Sequence, residues 1–149
     1  EEKFKHFKDY EEGMAYAKQH NMPVLLDFTG FGCVNCRKIE DNVWTDEKVV
    51  ERLKDYVVIS LYVDDRKELP QTEWYTSDAT GKEREVKTVG QKWSDFQAKY
   101  FKTNSQPQYI LINSKEQLLN QPAAYDFSKS IDNYLSFLDC GLKRNKQLK

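Results

Sequence analysis

The chain has 149 residues, the length of one domain, with 39% hydrophobic, 13% aromatic and 32% charged residues, a globular composition that excludes collagen-like and disordered classes. Its 23 Lys plus Arg nearly cancel 24 Asp plus Glu, and a net charge of -1 argues against nucleic acid as a partner, since a general binder shows a basic surplus. No apolar run approaches the roughly 18 residues that a membrane span needs, so no direct membrane insertion of this chain is expected.

In chain order, Asp9 to His20 reads as a first helix: Asp9 and Glu12 fit a capping box, and Tyr10, Met14 and Ala17 recur at helical spacing. Asn21-Met22-Pro23 stops it. Val24-Leu25-Leu26-Asp27-Phe28 reads as a short buried strand, apolar apart from one Asp, and Gly30 and Gly32 break it just ahead of Cys33. A helical pattern follows through Cys36, Ile39, Glu40 and Val43. Another helix is expected from Thr45, whose hydroxyl would cap it, to about Leu53. Tyr56 to Val63, dense in β-branched and aromatic residues, reads as a second buried strand. The order αβαβ favours parallel strands joined by helical crossovers.

Asp64 to Gly90 is mostly polar, with a turn signal at Ala79-Thr80-Gly81, and reads as an insertion containing a small hairpin. Trp74 and Tyr75 within it would either touch a docking partner or close a minor core. Helical periodicity resumes at Gln91, with Trp93, Phe96 and Tyr100 on one face. Pro107 precedes the apolar run Gln108 to Ile112, and a turn at Asn113-Ser114-Lys115 leads to a weak strand at Gln117 to Leu119. Ile131, Tyr134, Leu135 and Leu138 form a closing amphipathic helix, with Gly141 as its C-cap and a frayed basic tail from Lys143. Cys140 reads as a small buried hydrophobe, and His6 and His20 carry no partner pattern.

The sharpest local signal is a strand, a Gly-rich turn, Cys33-Val34-Asn35-Cys36 and a helix. A thiolate in the first turn of a helix is stabilised by unpaired N–H groups and the positive end of the helix dipole. Cys33, nearer the helix start, is the expected attacking thiol and Cys36 the resolving one. A half zinc site and a pair of packed core cysteines are the competing readings; a structural zinc wants four Cys or His ligands, and only Cys140, His6 and His20 remain.

Asp27 is a lone acid in an apolar strand, so its pKa should rise, and from beneath the turn it could exchange a proton with Cys36. The alternative is a strand-end Asp facing solvent. Glu40 shares a helix face with Cys33 and Cys36 and would oppose thiolate formation, or it is a solvated helical Glu. Pro107 is either a plain strand boundary or a cis-proline that offers residue Gln106 to an extended substrate.

Val24-Leu25-Leu26-Asp27-Phe28, Cys33-Val34-Asn35-Cys36 and Pro107 before a hydrophobic strand resemble the thioredoxin superfamily from about residue 9 to residue 140. More narrowly, Cys33 to Glu40 with Val43-Trp44-Thr45-Asp46 and Val49 is similar to the family of C-terminal periplasmic domains of the thiol:disulfide interchange protein DsbD. The resemblance implies an α/β thioredoxin fold over residues 1–149, a mixed central sheet flanked by helices, with the insertion at about 64–90 after the second central strand. It implies Cys33 as nucleophile, Cys36 as resolving thiol, Asp27 and Glu40 as acids tuning the nucleophile, and Pro107 as cis-proline. Gln106, Pro107, Phe31 and Gly32 are the expected substrate-binding residues. Phe31-Gly32 stands where that family usually has an acidic or polar residue followed by Trp, which alters the docking surface.

What the resemblance implies functionally is a protein-disulfide reductase with no cofactor beyond its dithiol and no metal. It would relay electrons from a membrane-embedded domain to an N-terminal redox domain and protein disulfides. The chain would then be an excised periplasmic domain of an inner-membrane protein, as its opening Glu1-Glu2-Lys3 without an initiator Met also suggests; a cytoplasmic location is the runner-up. A stand-alone reductant or isomerase and a redox-idle binding module are the alternatives.

Overall fold

Three adjacent strands organise the chain, and side-chain alternation along them decides what packs on each face. In the computed structural model, which describes residues 3–149, β2 (Val24–Thr29) lies parallel to β3 (Val57–Tyr62) and antiparallel to β6 (Gln108–Ile112). A two-residue strand β1 (His6–Phe7) extends the sheet beyond β3, and β7 (Ala123–Ala124) extends it beyond β6, giving the order β1-β3-β2-β6-β7. Leu25, Val58, Tyr109 and Leu111 face α2 (Val34–Asn42), α3 (Glu47–Leu53) and α6 (Ile131–Gln147). Their neighbours Leu26, Phe28, Ile59 and Ile110 face α1 (Tyr10–His20) and α4 (Val89–Phe101). Burial on both faces is why these strands read as nearly continuous apolar runs.

The insertion expected at 64–90 leaves β3 and returns to α4. It contains a 3-10 turn (Gln71–Glu73) and an antiparallel hairpin of β4 (Tyr75–Ser77) and β5 (Arg84–Val86), with Gly81 at φ 102° in its turn. Its two ends are stitched together: Gly90 N–H donates to Asp65 O at 2.9 Å, Val89 N–H to Lys67 O and Leu69 N–H to Lys87 O, both at 2.8 Å. A Cβ on Gly90 would lie 2.6 Å from the Asp65 nitrogen and 2.7 Å from the Val63 oxygen, so only glycine allows this approach.

Several boundaries differ from expectation. Asp46, not Thr45, caps α3, accepting from Lys48 N and Val49 N, while the Thr45 hydroxyl donates back to Asp41 O. A carboxylate gains from the helix dipole as well as the hydrogen bonds, so it displaces the hydroxyl. Helix α4 begins two residues early because Thr88 and Gln91 form a full capping box. The segment directly after β6 contributes a single bridge, Ile112 to Leu118; the strand that pairs with β6 on the side away from β2 is β7, followed by the short helix α5 (Tyr125–Ser128).

The largest correction concerns the C-terminus. Gly141 does not cap α6, which continues to Gln147; it sits in mid-helix, where a Cβ would collide with Leu111 and the Tyr56 hydroxyl. Glycine here permits close helix–sheet contact rather than a turn. Cys140, one residue away, is exposed rather than buried.

Candidate active site

Sheet topology brings the predicted residues to one place. Phe28 pairs with Gln108, so Pro107 lies across from the end of β2, from which Gly30 to Cys33 depart. Cys33 is the N-cap of α2: its Sγ accepts from Cys36 N–H at 3.2 Å, and its backbone is extended. Cys33 and Cys36 form a disulfide with a Cα–Cα separation of 5.2 Å, within the range such bridges require. Cys36 is 1% exposed, whereas Cys33 is half-buried, an asymmetry that favours Cys33 as the sulfur open to attack. Among the described residues no group of three metal-ligating side chains gathers anywhere.

Asp27 faces inward, on the side of β2 covered by α2, and is 2% exposed. Burial pushes its carboxyl up to about 7; the Ser60 hydroxyl, which donates to Oδ2 at 2.7 Å, pulls the other way, and Glu40 adds to the rise. The solvent-facing alternative for Asp27 is thereby ruled out. Glu40 is half-buried and also raised by burial, with Arg37 opposing. Arg37 is not among the site residues expected from the sequence. Its Nη2 donates to Glu40 Oε2 at 2.9 Å and to Thr29 Oγ1 at 3.1 Å, tying α2 to the end of β2, and its charge opposes the rise at both acids.

Asp64 is a second residue that those expectations omit. Its two carboxylate oxygens accept from Phe31 N–H at 2.8 Å and Gly32 N–H at 2.9 Å, fixing the turn that carries Cys33. Burial tends to raise the Asp64 carboxyl, but these N–H groups outweigh it and the net shift is downward. The available signal is positional: Asp64 is the first acidic residue after β3, and a parallel strand ends beside the loop that follows its neighbour.

Phe31 stacks on Tyr62 with ring centroids 4.1 Å apart, yet remains 55% exposed, and Val34 between the cysteines is 67% exposed. Two apolar side chains therefore border the disulfide on the solvent side. The Gln106–Pro107 bond is cis, and the loop before it is held by Gln97, whose Oε1 accepts from Gln106 Nε2 and whose Nε2 donates to Ser105 O and Gln108 Oε1. Trp74 and Tyr75 do not join this group. Trp74 Nε1 donates to Leu69 O, and the Tyr75 hydroxyl donates to Asp95 Oδ2 on α4.

A mixed sheet of this topology, with a Cys-x-x-Cys disulfide at a helix start and a cis-proline opening the neighbouring strand, defines the thioredoxin fold and the class of thiol–disulfide oxidoreductases. Residues 5–87 match the profile of a family described as Thioredoxin-like, and the chain belongs to that family. Thiol:disulfide interchange protein DsbD of Vibrio vulnificus (strain CMCP6) is 33% identical over 57 residues, 38% of this chain and 10% of that protein. The DsbD of Campylobacter jejuni (strain RM1221) is 23% identical over 60 residues, 40% of this chain and 11% of that protein. The matched stretch thus spans about a tenth of these relatives. Among solved structures, the oxidoreductase DsbH superposes with a TM-score of 0.64 at 17% identity, covering 94% of this chain and 85% of its own. A thioredoxin from Thermus thermophilus superposes with a TM-score of 0.61 at 18% identity, covering 93% and 86% respectively.

Proposed function

We propose that this chain is a protein-disulfide reductase domain whose redox group is the Cys33–Cys36 pair and which needs no further cofactor. The Cys33 thiolate attacks a partner disulfide, the partner's sulfur–sulfur bond breaks, and a Cys33–partner mixed disulfide forms. Cys36 then attacks Cys33 Sγ, which releases the second partner thiol and regenerates the intramolecular disulfide. Asp27 takes the Cys36 proton in that step and returns it when the disulfide is reduced. The observation that carries this reading is the placement of Cys33 as N-cap of α2, bonded to a buried Cys36, at the end of the strand bearing a buried acid raised toward neutrality.

The exposed faces of Phe31 and Val34, with Gln106 and Pro107, supply the docking surface for an extended segment of the partner. The local similarity to DsbD supports a relay between a membrane-embedded domain and periplasmic protein disulfides, with this chain on the periplasmic side. No helix among the described residues is long and apolar enough to cross a membrane, so a membrane-embedded donor would be a separate domain.

Insulin reduction by dithiothreitol tests the chemistry. The wild-type chain should accelerate it, Cys33→Ser should abolish the acceleration, and Cys36→Ser should accumulate mixed disulfides visible by mass spectrometry. No acceleration by the wild-type chain would instead identify a redox-idle binding module.

A further inference from the structure

Asp27 is shut away from water, yet an acid that exchanges protons with Cys36 must be recharged on every turnover. The groups around it serve this poorly. From α2, Glu40 is engaged by Arg37; from β3, β6 and α6, Tyr62, Tyr109 and Tyr134 all have hydroxyls whose pKa burial pushes above the ordinary value. Ser60 is different. It stands opposite Asp27 in the β2–β3 register, is 1% exposed, and donates to Asp27 Oδ2 at 2.7 Å. Its Oγ also lies 2.6 Å from Nε2 of His6 on β1, the outermost strand on that side. His6 is half-buried, with its ring clustered with Phe4 at 5.6 Å and Trp44 at 6.2 Å. Three adjacent strands therefore carry a carboxyl, a hydroxyl and an imidazole, hydrogen-bonded in that order from the core to the sheet edge.

We propose that Asp27, Ser60 and His6 form a proton relay, with His6 as the port through which the buried acid beneath the disulfide exchanges protons with solvent. The relay rests on the reading of Asp27 as acid–base partner of Cys36. When a partner dithiol reduces the domain, its thiolate attacks Cys33 Sγ, the Cys33–Cys36 bond breaks, and Cys36 leaves with the electron pair and takes the proton of Asp27. The Asp27 carboxylate then receives the Ser60 hydroxyl proton, Ser60 takes the Nε2 proton of His6, and the imidazole is reprotonated from water. The partner's second thiolate resolves the mixed disulfide, releasing Cys33 as thiolate; the partner leaves oxidised by two electrons, and its thiol protons go to solvent. Reduction of a protein disulfide by this domain runs the relay outward. Ser60 and His6 are positioning residues, since neither touches the reacting sulfurs.

The test is stopped-flow reduction of the Cys33–Cys36 disulfide by dithiothreitol from pH 6 to 9, in H2O and D2O. Asp27→Asn, Ser60→Ala, Ser60→Thr, His6→Phe and the double variant Asp27→Asn with His6→Phe are compared. Ser60→Ala and His6→Phe should each slow the step about tenfold, a fraction of what a general acid contributes, and change its pH profile and solvent isotope effect. Ser60→Thr, which keeps the hydroxyl, should restore both. His6→Phe should add nothing once Asp27 is Asn. If Asp27→Asn slows the step but Ser60→Ala and His6→Phe keep the wild-type rate, pH profile and isotope effect, the relay is overturned and the Asp27 reading survives. If Asp27→Asn itself changes nothing, both fail. His6 sits on an edge strand and Phe preserves a ring there, so that arm decides the matter even if Ser60→Ala does not fold.

Discussion

Asp27 sits where three strands meet, with Tyr109 across from it on one side and Ser60 on the other, and its ionisation must cost stability. Its folded pKa is about 7 against 3.8 for an exposed Asp, so between those values the native state binds the extra proton. Stability from this group is therefore full below about pH 4 and is lost as pH rises through 7. Urea denaturation of the oxidised protein should find Asp27→Asn more stable than wild type at pH 8.5, with the gain shrinking toward pH 5. A rise from 3.8 to about 7 corresponds to about 4 kcal/mol, and the lost Ser60 hydrogen bond will reduce what is observed. A gain of equal size at both pH values would mean that the Asp27 carboxyl is not held neutral by burial. Glu40 is also raised by burial, but it is only half-buried and the bonded Arg37 guanidinium opposes the rise, whereas Asp27 is fully enclosed.

The elements around the site take their positions from pairs of residues far apart in sequence. Asp64 follows β3 and holds the loop that ends β2, so removing its carboxylate should loosen the cysteine turn without unfolding the sheet. Asp64→Ala should speed amide hydrogen exchange at Phe31 and Gly32 and cost about 1 kcal/mol at this exposed site. Because the Asp64 carboxyl is held low by those N–H groups, its support is present above the ordinary Asp range and is lost as pH falls through its folded pKa. Unchanged exchange in Asp64→Ala would remove it from the loop's support. The insertion starts at this same edge, and its hairpin is clamped to α4 by Asp95, which accepts from the Tyr75 and Ser77 hydroxyls. The hairpin tip, at Ala79 and Thr80, shares a cleft with Lys102, Thr103 and Asn104 just before the Pro107 loop. Replacing residues 71–86 by a short Gly-Ser turn should leave exchange with a small disulfide intact and slow exchange with the protein partner. Equal rates for the shortened and wild-type chains with both substrates would make the hairpin a passive insert.

Across the whole molecule, α6 closes one face of the sheet through an unusually close contact at Gly141. A helix-interior glycine ordinarily costs about 1 kcal/mol relative to Ala, and here packing offsets that cost. Gly141→Val should lower stability by about 2 kcal/mol or more, because Leu111 and Tyr56 border the site and Tyr56 is itself anchored by donating to Leu138 O at 2.7 Å. A thermal midpoint equal to wild type would show that the helix shifts freely. Cys140 is exposed on the same helix, beside a glycine that packs on Tyr56 just before β3, at the end of the sheet opposite the dithiol. Cys140→Ala should therefore leave disulfide exchange intact.

Local chemistry in the sequence determined the elements that carry their own signals. Three apolar runs made strands, Asp9 and Gly-rich turns made boundaries, and Cys33-Val34-Asn35-Cys36 ahead of a helical pattern announced the dithiol. Asp27 stood out because one acid in an apolar run has few physical explanations. What only tertiary structure decided were the partnerships: Asp64 with Phe31 and Gly32, Arg37 with Thr29 and Glu40, Ser60 with both Asp27 and His6, and Gly141 with Leu111. A carboxylate, a hydroxyl or a glycine has the same local propensity whether it serves a turn, a surface or a distant strand. Its role is set by which backbone the parallel crossover brings beside it, and that follows from burying both faces of the sheet at once.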